Sequence, residues 1–140
     1  MVRISNLELV EILRKNARIS YVELAKHFGV SETAIRKRIR KLEENGVIKR
    51  YTVEVDPKKL GFEINALIGV DTKPERYVQI IEKMKVMEGI KGLCSSSGDH
   101  MILLECWFRN SNELAEFVKK LEKLEGVTKI CPAIIIEKII

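Results

Sequence analysis

The stretch SETAIRKRIRKL, Ser31 to Leu42, places five basic residues in twelve positions while keeping Ile35, Ile39 and Leu42 at helical spacing. At about 100° per residue these three apolar side chains fall on one side of a helix, and Thr33, Lys37, Arg40 and Glu44 fall roughly opposite. Arg36 and Lys41 take one flank each, and Arg38 lies on the flank nearer the apolar stripe. Such a helix buries one stripe and displays a mostly cationic one. Ser31 can cap its start, and Gly46, after Asn45, can stop it. A basic helix face is ordinarily a solvated surface, so its meaning depends on what surrounds it.

Upstream, Ser20 precedes a second stripe, Val22, Leu24, Ala25 and Phe28, with Glu23 three residues after the serine in capping-box spacing. Gly29 is placed to end that helix in a left-handed cap. Further back, Leu7, Leu9, Val10, Ile12 and Leu13 make another stripe, capped by Ser5 or Asn6 and ending near Asn16. The first 46 residues therefore predict three short helices, with the turn FGVS joining the second to the third. This is the sequence form of a helix-turn-helix, whose second helix reaches base edges in the major groove with its N-terminal residues. Ser31, Glu32, Thr33, Arg36 and Lys37 are the candidates for that contact. Arginine can donate two hydrogen bonds to guanine, and threonine can meet a thymine methyl or a polar base edge. Arg40, Lys41, Lys49 and Arg50, with the helix start at Ser20 and Tyr21, are placed for phosphates. Arg38 is open between touching DNA and orienting the motif. His27, inside the motif, is expected to be packed or solvent-facing.

Downstream, VIKRYTVEV, Val47 to Val55, alternates and predicts a strand or wing, and DPKKLG, Asp56 to Gly61, reads as a linker. The remaining chain changes rhythm. Ile64 to Val70 predicts a strand, and Pro74 can open a helix carrying Tyr77, Ile80, Ile81 and Met84 on one face. A second strand, Ile90 to Cys94, leads through SSSGD to a third, Met101 to Phe108. Ser111 is expected to cap a helix with Leu114, Phe117, Val118, Leu121 and Leu124, before a last strand from Val127 to Ile136. The order βαββαβ predicts a four-stranded antiparallel sheet with both helices on one face. The other face is expected to be apolar, with Trp107 and Phe108 contributing, so self-association is expected to cover it.

Bulk properties agree with two modules. The chain of 140 residues is 46% apolar, enough for one ordinary domain or two small ones. Residues 1–60 hold 14 Lys and Arg against 8 Asp and Glu, net +6, whereas residues 61–140 hold 11 against 12, net −1. The excess charge thus sits with the helix-turn-helix, as a polyanion-binding module requires. No apolar run reaches membrane-spanning length, and MVRISNLELVEIL lacks the features of a signal peptide, so a cytoplasmic protein without a membrane partner is expected. Cys94, Cys106 and Cys131 show no CxxC pair or nearby histidine cluster and are expected to be reduced, packed thiols. No catalytic set, metal cluster, phosphate loop or cofactor motif is visible.

The segment ARISYVELAKHFGVSETAIRKRIRKLEENGVIKRYTVEVDPKKLG, Ala17 to Gly61, closely resembles the DNA-binding half of the Lrp/AsnC family, the leucine-responsive or feast/famine transcription regulators. Arg18, Ser20, Leu24, Ala25, Gly29, Ser31, Arg38, Leu42, Gly46, Val47, Ile48, Tyr51, Asp56, Pro57 and Gly61 carry the likeness. The βαββαβ remainder matches that family's effector-binding and assembly domain. The resemblance implies an α+β chain: a winged helix-turn-helix domain over 1–50, a strand and linker over 51–61, and a ferredoxin-like, RAM/ACT-like domain over 62–140. It further implies binding to palindromic double-stranded operator DNA as a homodimer, with dimers joining into larger even-numbered assemblies such as octamers. A free amino acid is implied as effector, held between dimers near the loop joining the second and third strands. Here that loop is SSSGDHM, Ser95 to Met101, whose Gly98 and Asp99 match the family's Gly-Asp pair. Asp99 can hold an α-ammonium group, and backbone N–H groups around Ser97 and Gly98 can receive an α-carboxylate, with Ser95, Ser96 and His100 flanking. Without the resemblance the same residues read as a hairpin turn.

Three departures accompany it. His100 and Met101 stand where the family often has Tyr-Asp, Ile130, Cys131 and Pro132 where it often has Thr-x-Thr, and SNLELVE replaces the acidic residues usual in the first helix. Two other readings compete with an effector-controlled regulator. One is an architectural DNA-binding protein without effector. The other is an enzyme like the haem-precursor decarboxylases that share the two-domain layout, with His100 beside Asp99 as acid or base.

Overall fold

In the computed structural model, which describes residues 3–140, three serines start three helices. The Glu8 N–H donates to Ser5 Oγ at the head of α1 (Asn6–Lys15), at 3.2 Å. The Glu23 N–H donates to Ser20 Oγ at the head of α2 (Tyr21–Phe28), and the Ala34 N–H to Ser31 Oγ at the head of α3 (Glu32–Glu44), both at 3.1 Å. Each hydroxyl thereby satisfies one of the orphan donors that a helix start leaves. Gly29 ends α2 at φ 65°, a left-handed conformation that a side chain resists. The apolar stripes meet as expected: Leu9, Leu24 and Ile35 are fully buried and pack with Ile4, Ala25, Phe28, Ile39 and Leu42.

After α3 the chain turns sharply, with the Val47 and Ile48 N–H groups both donating to the Leu42 carbonyl. The strand expected over Val47 to Val55 does not form. A β-ladder needs a second edge, and none of the described residues supplies one here, so Tyr51, Val53 and Val55 lie exposed. The linker is a short 3-10 turn, Pro57–Leu60, started by Asp56, whose carboxylate accepts from the Lys58 N–H.

The second part is one sheet under two helices. Strands β1 (Ile64–Thr72), β2 (Ile90–Ser95), β3 (Ile102–Phe108) and β4 (Val127–Ile134) pair antiparallel in the order β2-β3-β1-β4. Registers Ala66 to Cys106, Ile68 to Leu104 and Val70 to Ile102 set these six side chains on one face. There they pack against Ile80 and Met84 of α4 (Tyr77–Met84) and Phe117 and Leu121 of α5 (Ser111–Glu122). Pro74 starts a separate 3-10 turn, Pro74–Arg76, rather than the first turn of α4. Asn110, not Ser111, caps α5, accepting from the Glu113 N–H at 3.0 Å. Pro132 is tolerated in β4 because that strand lies at the sheet edge.

The open face differs from its expectation. Phe108 points to the helices and meets the Phe117 ring, centroids 5.4 Å apart, because its register is that of the buried residues. Alternation leaves Leu67, Leu103 and Trp107 facing outward among Asn65, Asp71, Glu105 and Lys129. The face is mixed, apolar with charges. The chain divides into two compact units, Met1–Glu54 and Val55–Ile140. No described helix is long and apolar enough to cross a membrane, and no metal-binding group of side chains occurs among the described residues.

Candidate functional site

The surface of α3 is built by the burial of its other side. Ile35, Ile39 and Leu42 anchor the helix, and the same turn of the screw leaves Glu32, Thr33, Arg36, Lys37, Arg40 and Lys41 exposed, with Ser31 exposed at its head. Lys49 and Arg50 follow, also exposed. Ser20 and Ser31 have their oxygens engaged as caps, and both lie exposed at helix starts, where anions are favoured.

The cations are held differently. Arg38 is half-buried and donates to the Ile4 carbonyl at 2.8 Å and to Asn6 Oδ1 at 2.9 Å, tying α3 to the head of α1. Of the two roles open to it, these bonds supply the orienting one through a single nitrogen, Nη1. Arg36 makes no such bond and lies with its guanidinium carbon 4.5 Å from the Tyr21 ring centroid. Tyr51 stands nearby, its phenol pushed above the ordinary value first by burial, then by Glu43 and Tyr21, with a hydrogen bond to Glu43. His27 is exposed and lies 2.7 Å from Glu8 Oε1, bridging α2 to α1.

The loop between β2 and β3 is fixed from the sheet. Asp71, on β1, accepts from the Met101 N–H at 3.0 Å and meets His100 Nδ1 at 3.2 Å. That backbone N–H, the largest influence, holds the Asp71 carboxyl below its ordinary value against the opposing effect of burial, with the His100 ring and the charge of Lys129 adding smaller contributions in the same lowering direction. The His100 ring rests directly over Gly69, where any side chain would overlap it. Thus His100 pairs with Asp71 rather than with Asp99, which removes the acid-base pair considered from sequence. Ser96 Oγ donates to the His100 carbonyl at 2.6 Å, and Tyr77 and Ser95 share a hydroxyl hydrogen bond. Ser97, Gly98 and Asp99 project as an exposed tip, with Gly98 at φ 105°. Asp99 has no hydrogen bond or ion pair among the described residues. Beside the tip, Pro74, Tyr77, Ser96 and Met101 line an open cleft of about 340 Å³.

Sequence reasoning missed Gly69, Asp71, Pro74 and Tyr77 as parts of this site, and placed Met101 only at the end of its loop. One signal was readable: Asp71 is the lone carboxylate in the apolar run INALIGVDT. The cysteines also divide. Cys106 is buried and its thiol is pushed up to about 12 by burial first and Glu105 second, whereas Cys131 is half-buried and Cys94 is exposed rather than packed.

Comparison with known proteins agrees in both halves. A winged helix-turn-helix DNA-binding family model matches residues 3–49, and the model for the Lrp/AsnC ligand binding domain matches residues 65–140. The HTH-type transcriptional regulator LrpA of Pyrococcus horikoshii is 48% identical over 132 residues, covering 94% of this chain and 94% of that one. Among solved structures, AsnC of E. coli superposes with a TM-score of 0.82 at 27% identity, covering 99% of this chain and 95% of that one. A feast or famine regulatory protein from M. tuberculosis, complexed with L-methionine, superposes with a TM-score of 0.80 at 22% identity, covering 94% and 90%.

Proposed function

Because the chain belongs to the Lrp/AsnC family of DNA-binding transcription regulators, we infer that α3 reads its operator, with Arg36, Lys37 and Thr33 toward base edges and Arg40, Lys41, Lys49 and Arg50 toward phosphates. Glu32 and the capped starts at Ser20, Tyr21 and Ser31 border the same surface. The observation that carries this is the division of α3 into a buried apolar stripe and an exposed cationic one. Operator affinity then falls with salt, with a logarithmic slope of about −0.9 for each phosphate neutralised. Replacing Arg36 with alanine costs about 1–3 kcal/mol at one base position, whereas Lys41→Ala weakens binding to all sequences and flattens the salt slope. A variant lacking both Arg36 and Lys37 that keeps affinity and sequence preference in a binding titration would overturn the assignment.

The second unit is assigned to self-association and effector binding. Leu67, Leu103 and Trp107 on the open sheet face support pairing with a second copy, and paired DNA-binding units suit a palindromic operator. Ultracentrifugation that finds only monomer at working concentration rejects that. The unpaired Asp99 at the tip of the anchored loop supports a free amino acid as ligand, its ammonium group on Asp99 and the backbone of Ser97 and Gly98 near its carboxylate. L-Methionine, held by a protein of the same fold, is the first to test. Binding raises the melting temperature in a concentration-dependent way; no shift with any common amino acid favours a DNA-binding protein without effector.

A further inference from the structure

Two arginines on α3 stand two positions apart and are held in opposite ways. Arg38 turns inward, and its Nη1 donates to both the Ile4 carbonyl and Asn6 Oδ1. Arg36 is exposed, and among the described residues no acceptor takes its donors; the guanidinium lies over the Tyr21 ring instead, 4.5 Å from its centroid. The difference matters chemically. A salt bridge occupies the N–H edge of a guanidinium, whereas stacking uses the face and leaves all the in-plane donors outward.

The ring beneath Arg36 is itself fixed. Tyr21 is the first residue of α2, follows the Ser20 cap, and is half-buried against the core around Leu24 and Ile35. The platform therefore belongs to α2 while the side chain it orders belongs to α3, and the turn at Gly29 sets the two together.

We propose that Tyr21 is a positioning residue for base readout: its ring holds the Arg36 guanidinium edge-outward, ready for a two-bond contact to a guanine. An unstacked arginine would lose its side-chain freedom only on meeting DNA, and this loss would weaken the specific complex. Tyr21 then acts through its ring, in place of the phosphate contact expected from its place at a helix start. The proposal rests on the reading of α3 as the base-contacting helix.

The test uses the full-length protein, a duplex selected by it from a randomised pool, and the same duplex scrambled. Tyr21→Leu lowers the ratio of selected to scrambled affinity about five- to tenfold, the size expected for an exposed to partly desolvated guanidinium on an aromatic face. Tyr21→Phe restores the ratio because the ring remains, and the salt slope of Tyr21→Leu equals that of wild type because no phosphate contact is lost. Added to Arg36→Ala, Tyr21→Leu lowers the ratio no further. Thermal melting checks each variant; if Tyr21→Leu melts below the assay temperature, Tyr21→Met is read in the same way. The proposal is overturned if Tyr21→Leu keeps the ratio, or if Phe and Leu lose equally with a shallower salt slope, the sign of a hydroxyl on a phosphate. An unchanged ratio in Arg36→Ala sinks the base-reading assignment and the proposal together; a lowered ratio there with an unchanged one in Tyr21→Leu sinks the proposal alone.

Discussion

At Gly69 a methyl group would overlap the imidazole of His100, so the absence of a side chain on β1 is what lets the loop after β2 fold back onto the sheet. Gly69→Ala should cost about 1–3 kcal/mol, the usual range for forcing extra volume into a filled site. Pairing it with His100→Ala should recover much of that cost in denaturant melts, since the overlap is then gone. Asp71 adds a pH dependence whose sign is set. Its folded-state pKa lies below the ordinary value, chiefly through the Met101 N–H, so its contribution is present above the ordinary carboxylate range and fades as pH falls through the lower folded value. Urea midpoints followed into acid should decline less steeply in Asp71→Asn than in wild type. The thiols give a third check. Cys94 should react first with a thiol reagent at neutral pH, while Cys106, kept protonated by burial, should stay unmodified until the chain unfolds.

Among the elements, what the sequence revealed well was whatever rests on local chemistry. Ser5, Ser20 and Ser31 cap α1, α2 and α3, and the apolar stripes of those helices meet in one core. Ser31→Ala should therefore destabilise the first unit by about 0.5–2 kcal/mol, read as a lower melting temperature. Elements whose form depends on a distant partner were less legible. The alternation in Val47 to Val55 is that of a strand, but pairing is a property of two segments and no described segment lies alongside. The same limit explains the candidate effector loop. SSSGDH announced a turn with a carboxylate, whereas the groups that hold it, Asp71 and Gly69, sit some thirty residues earlier and converge only through the β1 to β3 ladder. Asn110 displaced Ser111 as a cap by one residue, since either side chain serves that chemistry.

On the scale of the whole molecule, each unit has its own core, and the excess positive charge sits toward the first. Residues 1–60 carry net +6 and residues 61–140 net −1, so attraction to DNA is concentrated in one part of the chain. Ile35→Ala and Leu104→Ala empty different cores, at about 2–5 kcal/mol each. Calorimetry should resolve two transitions, the first substitution lowering one and the second lowering the other; a single transition moved equally by both would show one cooperative unit. The joining segment has a further consequence. From Lys49 to Val53 every residue is exposed, none of the backbone N–H groups is held by another backbone group among the described residues, and two tryptic sites, Lys49 and Arg50, stand at its start. Brief trypsin digestion should sever the chain there first, leaving both cores intact, and an operator that occupies those two side chains should slow the cut, so that the rate of nicking becomes a direct measure of how much of the protein is on DNA.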